Sequence, residues 1–153
     1  MAIRKCYNIK EDDFILGHVG SFRKVKNHPF ILNVFSELHS IRKNSYLMLI
    51  GSGDEEVAIK LLGKELNILD FIIFVGNIEN VGDYYSSMDG FIFPSFYEGL
   101  GMALIEAQSA GLPSLASDVI LSLILVASFW ALLIISVAFS VASLIDKLVF
   151  LNL

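Results

Sequence analysis

An α/β domain built on a doubly wound parallel sheet is the fold class that this sequence predicts. Three observations carry the prediction. Short unbroken apolar runs recur along the chain as far as Ala116. Segments with apolar residues at helical spacing separate them. Several of the runs stop at a glycine that opens a polar loop. Strands buried on both faces read as continuous apolar runs, and helices covering both faces join strands in parallel.

The elements follow in order. Residues 14–19, Phe-Ile-Leu-Gly-His-Val, form a first strand that ends at Gly20. A polar loop runs from Ser21 to Asn27. Pro29 suits a first helical turn, where its missing N–H is not needed. Ile31, Leu32, Val34, Phe35, Leu38 and Ile41 recur at helical spacing, which predicts an amphipathic helix over 29–42. Tyr46 to Ile50 is a second strand, stopped by Gly51-Ser52-Gly53. Asp54 is placed to cap a helix that runs to about Leu66. Phe71 to Val75 is a third strand, closed by Gly76, and a short helix is expected from Val81 to Met88. The strand at 90–93 comes next, then a helix from Gly101 to Ala110. Gly111 and Pro113 punctuate the start of a fifth strand at Ser114-Leu115-Ala116.

Charge divides the chain. Of 11 basic and 16 acidic residues, only Asp146 and Lys147 lie beyond Asp118. The uncharged stretch at 119–145 is long enough to span a bilayer. The net charge of −5 and the lack of a basic stripe argue against nucleic-acid binding. The small cluster Arg23-Lys24-Val25-Lys26 instead suits a phosphate. Cys6 is the only cysteine, which excludes an intrachain disulfide and a cysteine metal cage. Such usage fits a cytoplasmic setting, and the polar opening, Met1 to Asp13, is not a signal peptide.

The chemistry concentrates between Phe93 and Glu106. Two carboxylates, Glu98 and Glu106, bracket a turn, Gly99-Leu100-Gly101, that opens a helix. A helix N-terminus offers unpaired N–H groups and partial positive charge, and glycines let a phosphate approach the backbone. On an ideal helix the eight-residue offset is roughly 12 Å, comparable to the reach from sugar to ribose in a nucleotide-sugar. The neighbours of Glu106 read as largely buried, and a buried carboxylate needs a partner. In doubly wound folds ligands bind at the carboxyl ends of the strands. Four loops meet there: 20–26, 51–53, 76–77 and 94–101. No histidine and carboxylate group has metal-ligand spacing.

The segment Phe93-Pro94-Ser95-Phe96-Tyr97-Glu98-Gly99-Leu100-Gly101 through Glu106 resembles the glutamate-x7-glutamate signature of retaining glycosyltransferase family 4. Gly17-His18-Val19-Gly20, Lys26-Asn27-His28, Leu49 to Gly53, Phe74-Val75-Gly76, Met88-Asp89 and Glu106 to Pro113 complete the likeness, in order. It extends from about Asp13 to Ile120 and is greatest to bacterial transferases of capsular and exopolysaccharide synthesis. The resemblance implies one Rossmann-like half of a GT-B fold, the half that binds the nucleotide-sugar. It implies that Glu98 and Lys26 act on the donor sugar and the leaving diphosphate. Gly99, Leu100 and Gly101 would give N–H groups to the diphosphate, and Glu106 would accept from ribose hydroxyls. Gly20 would border the phosphates, with Arg23 compensating for the arginine missing at Ser21, Tyr97 would border the donor, and Gly76, Asn77 and Ile78 the base. The donor implied is a uridine diphosphate sugar, with no cofactor and no bound metal. Ser21 stands where the family usually carries arginine.

On this reading 1–13 is a remnant of an interdomain linker and 14–120 is the donor domain, incomplete at its end. Residues 121–153 are an apolar helical tail, either a membrane anchor on the cytoplasmic face or the product of a frameshift after Ile120. The acceptor, a glycan or lipid-linked sugar, would be met by an amino-terminal domain that this chain lacks. Two other readings stay open: an inactive or membrane-tethered remnant, and a nucleotide-sugar epimerase. His18 reads as a packed strand residue, His28 as a support for the loop beside Lys26, and His39 as surface.

Overall fold

The computed structural model describes residues 2–117. Its elements are α1 (Ala2–Cys6), β1 (Phe14–Val19), α2 (His28–Ile41), β2 (Ser45–Ile50), α3 (Glu56–Glu65), β3 (Ile72–Gly76), α4 (Gly82–Tyr85), β4 (Gly90–Phe93), α5 (Met102–Ser109) and β5 (Ser114–Ala116). The expected apolar helix over 121–153 lies outside the described residues.

All five strands are parallel, in the order β3-β2-β1-β4-β5. The chain winds outward from β1 to β3, then returns to the other side of β1 with β4. The strand order therefore reverses between β1 and β4, which opens a crevice at their carboxyl ends.

Period-two alternation sends neighbouring residues of each strand to opposite faces. Ile15, Met48, Ile50, Phe91 and Phe93 join one core with Tyr85, Met88, Leu104 and Ala107, so α4 and α5 cover that face. Leu16, Leu47, Leu49, Ile72 and Ile92 join a second core with Ile31, Leu32, Phe35 and Ile59, so α2 and α3 cover the other. This double burial is why the strands read as unbroken apolar runs.

The segment read as linker is ordered against the first core. Ile9 is buried there, and Arg4 is 6% exposed. The Arg4 guanidinium donates to the carbonyls of Ser87 at 3.0 Å and Asp13 at 2.8 Å, and to Asp89 Oδ2 at 2.6 Å. Asp89 Oδ2 also accepts the N–H of Ile15 at 2.7 Å.

Two local expectations are corrected. Asp54 does not cap α3: the N-cap position is Glu55, with no side-chain cap bond. The Glu55 N–H instead donates to the Phe22 carbonyl at 3.1 Å, so a tertiary tie to the loop after β1 replaces the local cap. The helix expected over 81–88 stops at Tyr85. Met88 is drawn into the core and the Ser87 carbonyl is held by Arg4, which turns the chain toward β4.

Candidate functional site

The loop after β1 carries Lys26, within a 3₁₀ turn at Lys24–Lys26. Asn27 follows with φ 55°, a left-handed conformation that asparagine tolerates, and starts α2. The loop after β4 carries Glu98. Two hydrogen bonds tie the loops: Phe96 N–H donates to the Val25 carbonyl at 2.9 Å, and the side-chain Asn27 Nδ2 to the Pro94 carbonyl at 3.4 Å. Lys26 Nζ donates to Glu98 Oε1 in an ion pair that is nearly enclosed, the side chains being 15% and 14% exposed. Lys26 Nζ also lies 5.1 Å from the centre of the Phe93 ring. The switch point of the sheet thus holds a paired cation and carboxylate.

Gly101 begins α5 with φ 61°, a left-handed conformation in which a side chain would be strained. The N–H groups of Gly99, Leu100 and Gly101 have no hydrogen-bond partner among the described residues. The first turn of α5 contains no acidic residue. Unpaired N–H groups at a helix start are the kind of feature on which an anion can be held. Because α5 begins only at Met102, the interval from Glu98 to Glu106 is not a continuous helix. The helical 12 Å offset therefore does not measure their separation.

Strand ends β1, β2 and β3 meet through backbone. Gly20 N–H donates to the Ile50 carbonyl, and Gly51 N–H to the Gly76 carbonyl, both at 2.9 Å. Gly51 has φ 133°, and a Cβ there would overlap the Gly20 carbonyl. Asn77 Nδ2 donates to Ser52 Oγ at 2.8 Å, which joins the second and third loops. Ile78 is half-buried against the first core. Gly20, Gly76, Asn77 and Ile78 therefore line one continuous rim.

Glu106 departs from expectation. Leu104 and Ala107 are buried, yet Glu106 itself is exposed on α5. An eight-residue helix with one face on the sheet turns its other positions to solvent. The carboxylate still has a partner: the Tyr85 hydroxyl donates to Glu106 Oε2 at 3.1 Å. Sequence reasoning missed Tyr85, for nothing local to 81–88 links it to α5.

Arg23 is exposed and lines a recess with His28, Glu55 and Leu62, between α2 and α3. No ion pair or hydrogen bond joins its side chain to the Lys26–Glu98 pair. Tyr97 is 74% exposed and Leu100 65%, at the outer lip of the β4 loop.

Beneath Lys26 lies a group of unsatisfied polar atoms. Among the described residues, His18 Nε2, both ring nitrogens of His28 and Ser95 Oγ are buried without partners. His18 Nδ1 faces the Ile92 carbonyl at 2.9 Å, so Nδ1 carries the proton and Nε2 is a bare acceptor. The two imidazoles meet edge to face at 5.1 Å. Burial pushes the His18 pKa down to about 3 against the opposing Ile92 bond, with small like-signed contributions from His28 and Lys26. Burial, then the Lys26 charge, lowers that of His28 to about 4. Both rings are neutral at pH 7, as the expectation of packed histidines requires for His18. His39, read as surface, is instead buried, with Nδ1 3.1 Å from Ser45 Oγ and its ring against Phe71. Among the described residues no cluster of three or more histidine, cysteine or acidic groups is placed to hold a metal. No helix among them is long and apolar enough to cross a membrane.

A five-stranded parallel Rossmann-like sheet with helices on both faces defines one half of a GT-B type fold. The chain belongs to the glycosyl transferases group 1 family, whose model matches residues 2–130, past Ile120. It is similar to EpsF of Bacillus subtilis (strain 168), 38% identical over 110 residues, which cover 72% of this chain. Its fold matches WaaG, a glycosyltransferase involved in lipopolysaccharide biosynthesis, with TM-score 0.71 and 27% identity over 77% of this chain. It also matches the pneumococcal O-GlcNAc transferase GtfA, solved in complex with UDP and GlcNAc, with TM-score 0.66 and 26% identity over 69% of this chain. The chain spans 29% of EpsF, 32% of WaaG and 21% of GtfA.

Proposed function

We propose that this chain binds a nucleotide-sugar, a uridine diphosphate sugar, and serves as the donor half of a family 4 glycosyl transfer with retention at the anomeric carbon. The observation that carries the reading is the Lys26–Glu98 pair, held between the ends of β1 and β4 beside the open N–H groups of Gly99, Leu100 and Gly101. The bond that breaks joins the anomeric carbon to a diphosphate oxygen; the bond that forms joins the same carbon to the oxygen of an acceptor hydroxyl, whose proton passes to the released diphosphate. Negative charge then grows on the leaving diphosphate, where Lys26 and the N–H groups are preorganised to meet it. Glu98 lies next to the same phosphates and takes the donor sugar. Glu106 accepts from the ribose hydroxyls, Tyr97 borders the donor, and Gly76, Asn77 and Ile78 border the base. Gly20 lines the phosphate side. Arg23, exposed on the α2 side of the loop, is assigned a phosphate role as a replacement for the arginine that the family usually carries at position 21.

The acceptor, a glycan or lipid-linked sugar of a cell-surface polysaccharide, is met by a domain other than this one. The role of WaaG in lipopolysaccharide biosynthesis supports that setting, and the UDP and GlcNAc bound to GtfA support the donor class. On this reading the protein works in the cytoplasm or at its membrane face.

Calorimetric titration of the full chain with UDP tests the reading. The expected result is saturable binding that Lys26→Met weakens about tenfold or more, the loss of one charge-assisted contact. No heat at millimolar UDP, with the chain folded by circular dichroism, sinks the donor-site reading.

A further inference from the structure

The side chain that carries a new role is Tyr85. It closes the short helix α4 and is 3% exposed. Its ring meets Phe91 edge to face at 5.7 Å and packs in the first core beside Leu104 and Ala107. Only its hydroxyl reaches out of that core. The oxygen lies 3.1 Å from Glu106 Oε2 and 3.1 Å from the Ala103 carbonyl. Both neighbours are acceptors, so the hydroxyl is the donor to each and its single proton is shared between them.

Glu106 lies on an exposed part of α5. A free glutamate there would sample several rotamers, and ordering it on ligand binding costs side-chain entropy. The Tyr85 hydroxyl removes part of that cost in advance. It holds one carboxylate oxygen and leaves the other, Oε1, with no partner among the described residues.

We propose that Tyr85 is the positioning residue of the ribose subsite: through its hydroxyl it fixes the Glu106 carboxylate so that Oε1 is presented to a vicinal diol. The inference rests on the donor-site reading and deepens it. Tyr85 touches no substrate and acts through Glu106 alone. Burial, then the hydrogen bond and charge of Glu106, raise the hydroxyl pKa, so Tyr85 stays a donor throughout the working pH range.

The test compares two nucleotides on the full chain by calorimetry: UDP, and UDP lacking both ribose hydroxyls. Wild type is expected to bind UDP more tightly. Tyr85→Phe is expected to weaken UDP binding about fivefold, the worth of one hydrogen bond, and to leave the dideoxy nucleotide unchanged. On a Glu106→Ala background the Tyr85→Phe change is expected to do nothing to either. Equal losses for both nucleotides would mean that Tyr85 only supports the fold, and no loss for either would overturn the proposal as well. If wild type binds neither nucleotide, the donor-site reading itself falls. If wild type binds UDP and Tyr85→Phe does not, the proposal alone stands or falls on the dideoxy comparison. Should Tyr85→Phe fail to fold, wild type carrying ¹³C at the tyrosine ring carbons gives the second reading. The Tyr85 Cζ resonance is expected to move with UDP and not with the dideoxy nucleotide; a resonance indifferent to UDP overturns the proposal.

Discussion

Lys26 and Glu98, 72 residues apart, form a nearly enclosed ion pair at the switch point of the sheet. On the donor-site reading the cation assigned to the diphosphate is thus already paired with a carboxylate. A diphosphate must compete with Glu98 for Lys26.

That competition gives a directional prediction. Glu98→Gln keeps the shape of the side chain and removes its charge. Lys26 is then free for phosphate, and UDP is expected to bind about fivefold more tightly, in line with a competing ion pair worth about 1 kcal/mol net. Calorimetry checks it. Weaker UDP binding in Glu98→Gln would show that Glu98 helps rather than opposes the diphosphate.

Arg4 anchors the amino-terminal segment through carbonyls and Asp89 from inside the first core. Arg4→Met is expected to destabilise the chain by about 3 kcal/mol, because Asp89 and the carbonyls lose a buried charged donor. Urea unfolding measures the change. A loss below about 0.5 kcal/mol, typical of a surface substitution, would mean that the segment does not pack on the sheet in solution.

His18 and His28 are held neutral far below the ordinary histidine pKa of 6.5, down to about 3 and about 4. An unfolded chain takes up these protons as pH falls through 6.5, while the folded chain does not until pH is near 4 and then 3. Stability is thus full above pH 6.5 and declines as pH falls, to about pH 4 for the His28 contribution and about pH 3 for that of His18. Each unit of displacement is worth about 1.4 kcal/mol per group. Urea midpoints at pH 7, 5.5 and 4.5 are expected to fall steadily in wild type and more gently in His28→Asn. Midpoints that do not change over this range would mean that the imidazoles are hydrated or already paired.

Gly51 lies against the Gly20 carbonyl with φ 133°. Gly51→Ala is expected to cost about 2 kcal/mol or more through strain and overlap. It is also expected to weaken UDP binding, since it pushes apart the rim formed by Gly20 and Gly76. Urea unfolding and calorimetry on the same variant give both readings, and a variant as stable as wild type would exclude the close approach.

Much of the candidate site is legible in the sequence. Lys26, Glu98 and the Gly99–Gly101 turn stand out because a cation, a carboxylate and glycines at strand ends are local features. Asp54 shows the converse: its capping potential is local, but the Glu55 N–H donates to the carbonyl of Phe22, a residue distant along the chain. Glu106 was read as buried from its neighbours, and α5 is too short and too exposed on one side for that inference to hold.

The sequence by itself determined the type and order of the elements from β1 to β5, because unbroken apolar runs, helical spacing and glycine stops are written residue by residue. It also determined which chemical groups are available at the strand ends. Only the tertiary structure decided that β4 lies beside β1, and with it that Lys26 meets Glu98 and that Tyr85 meets Glu106. Strand order is a property of the whole sheet: it depends on which faces the helices can cover together, and no local run of residues encodes it.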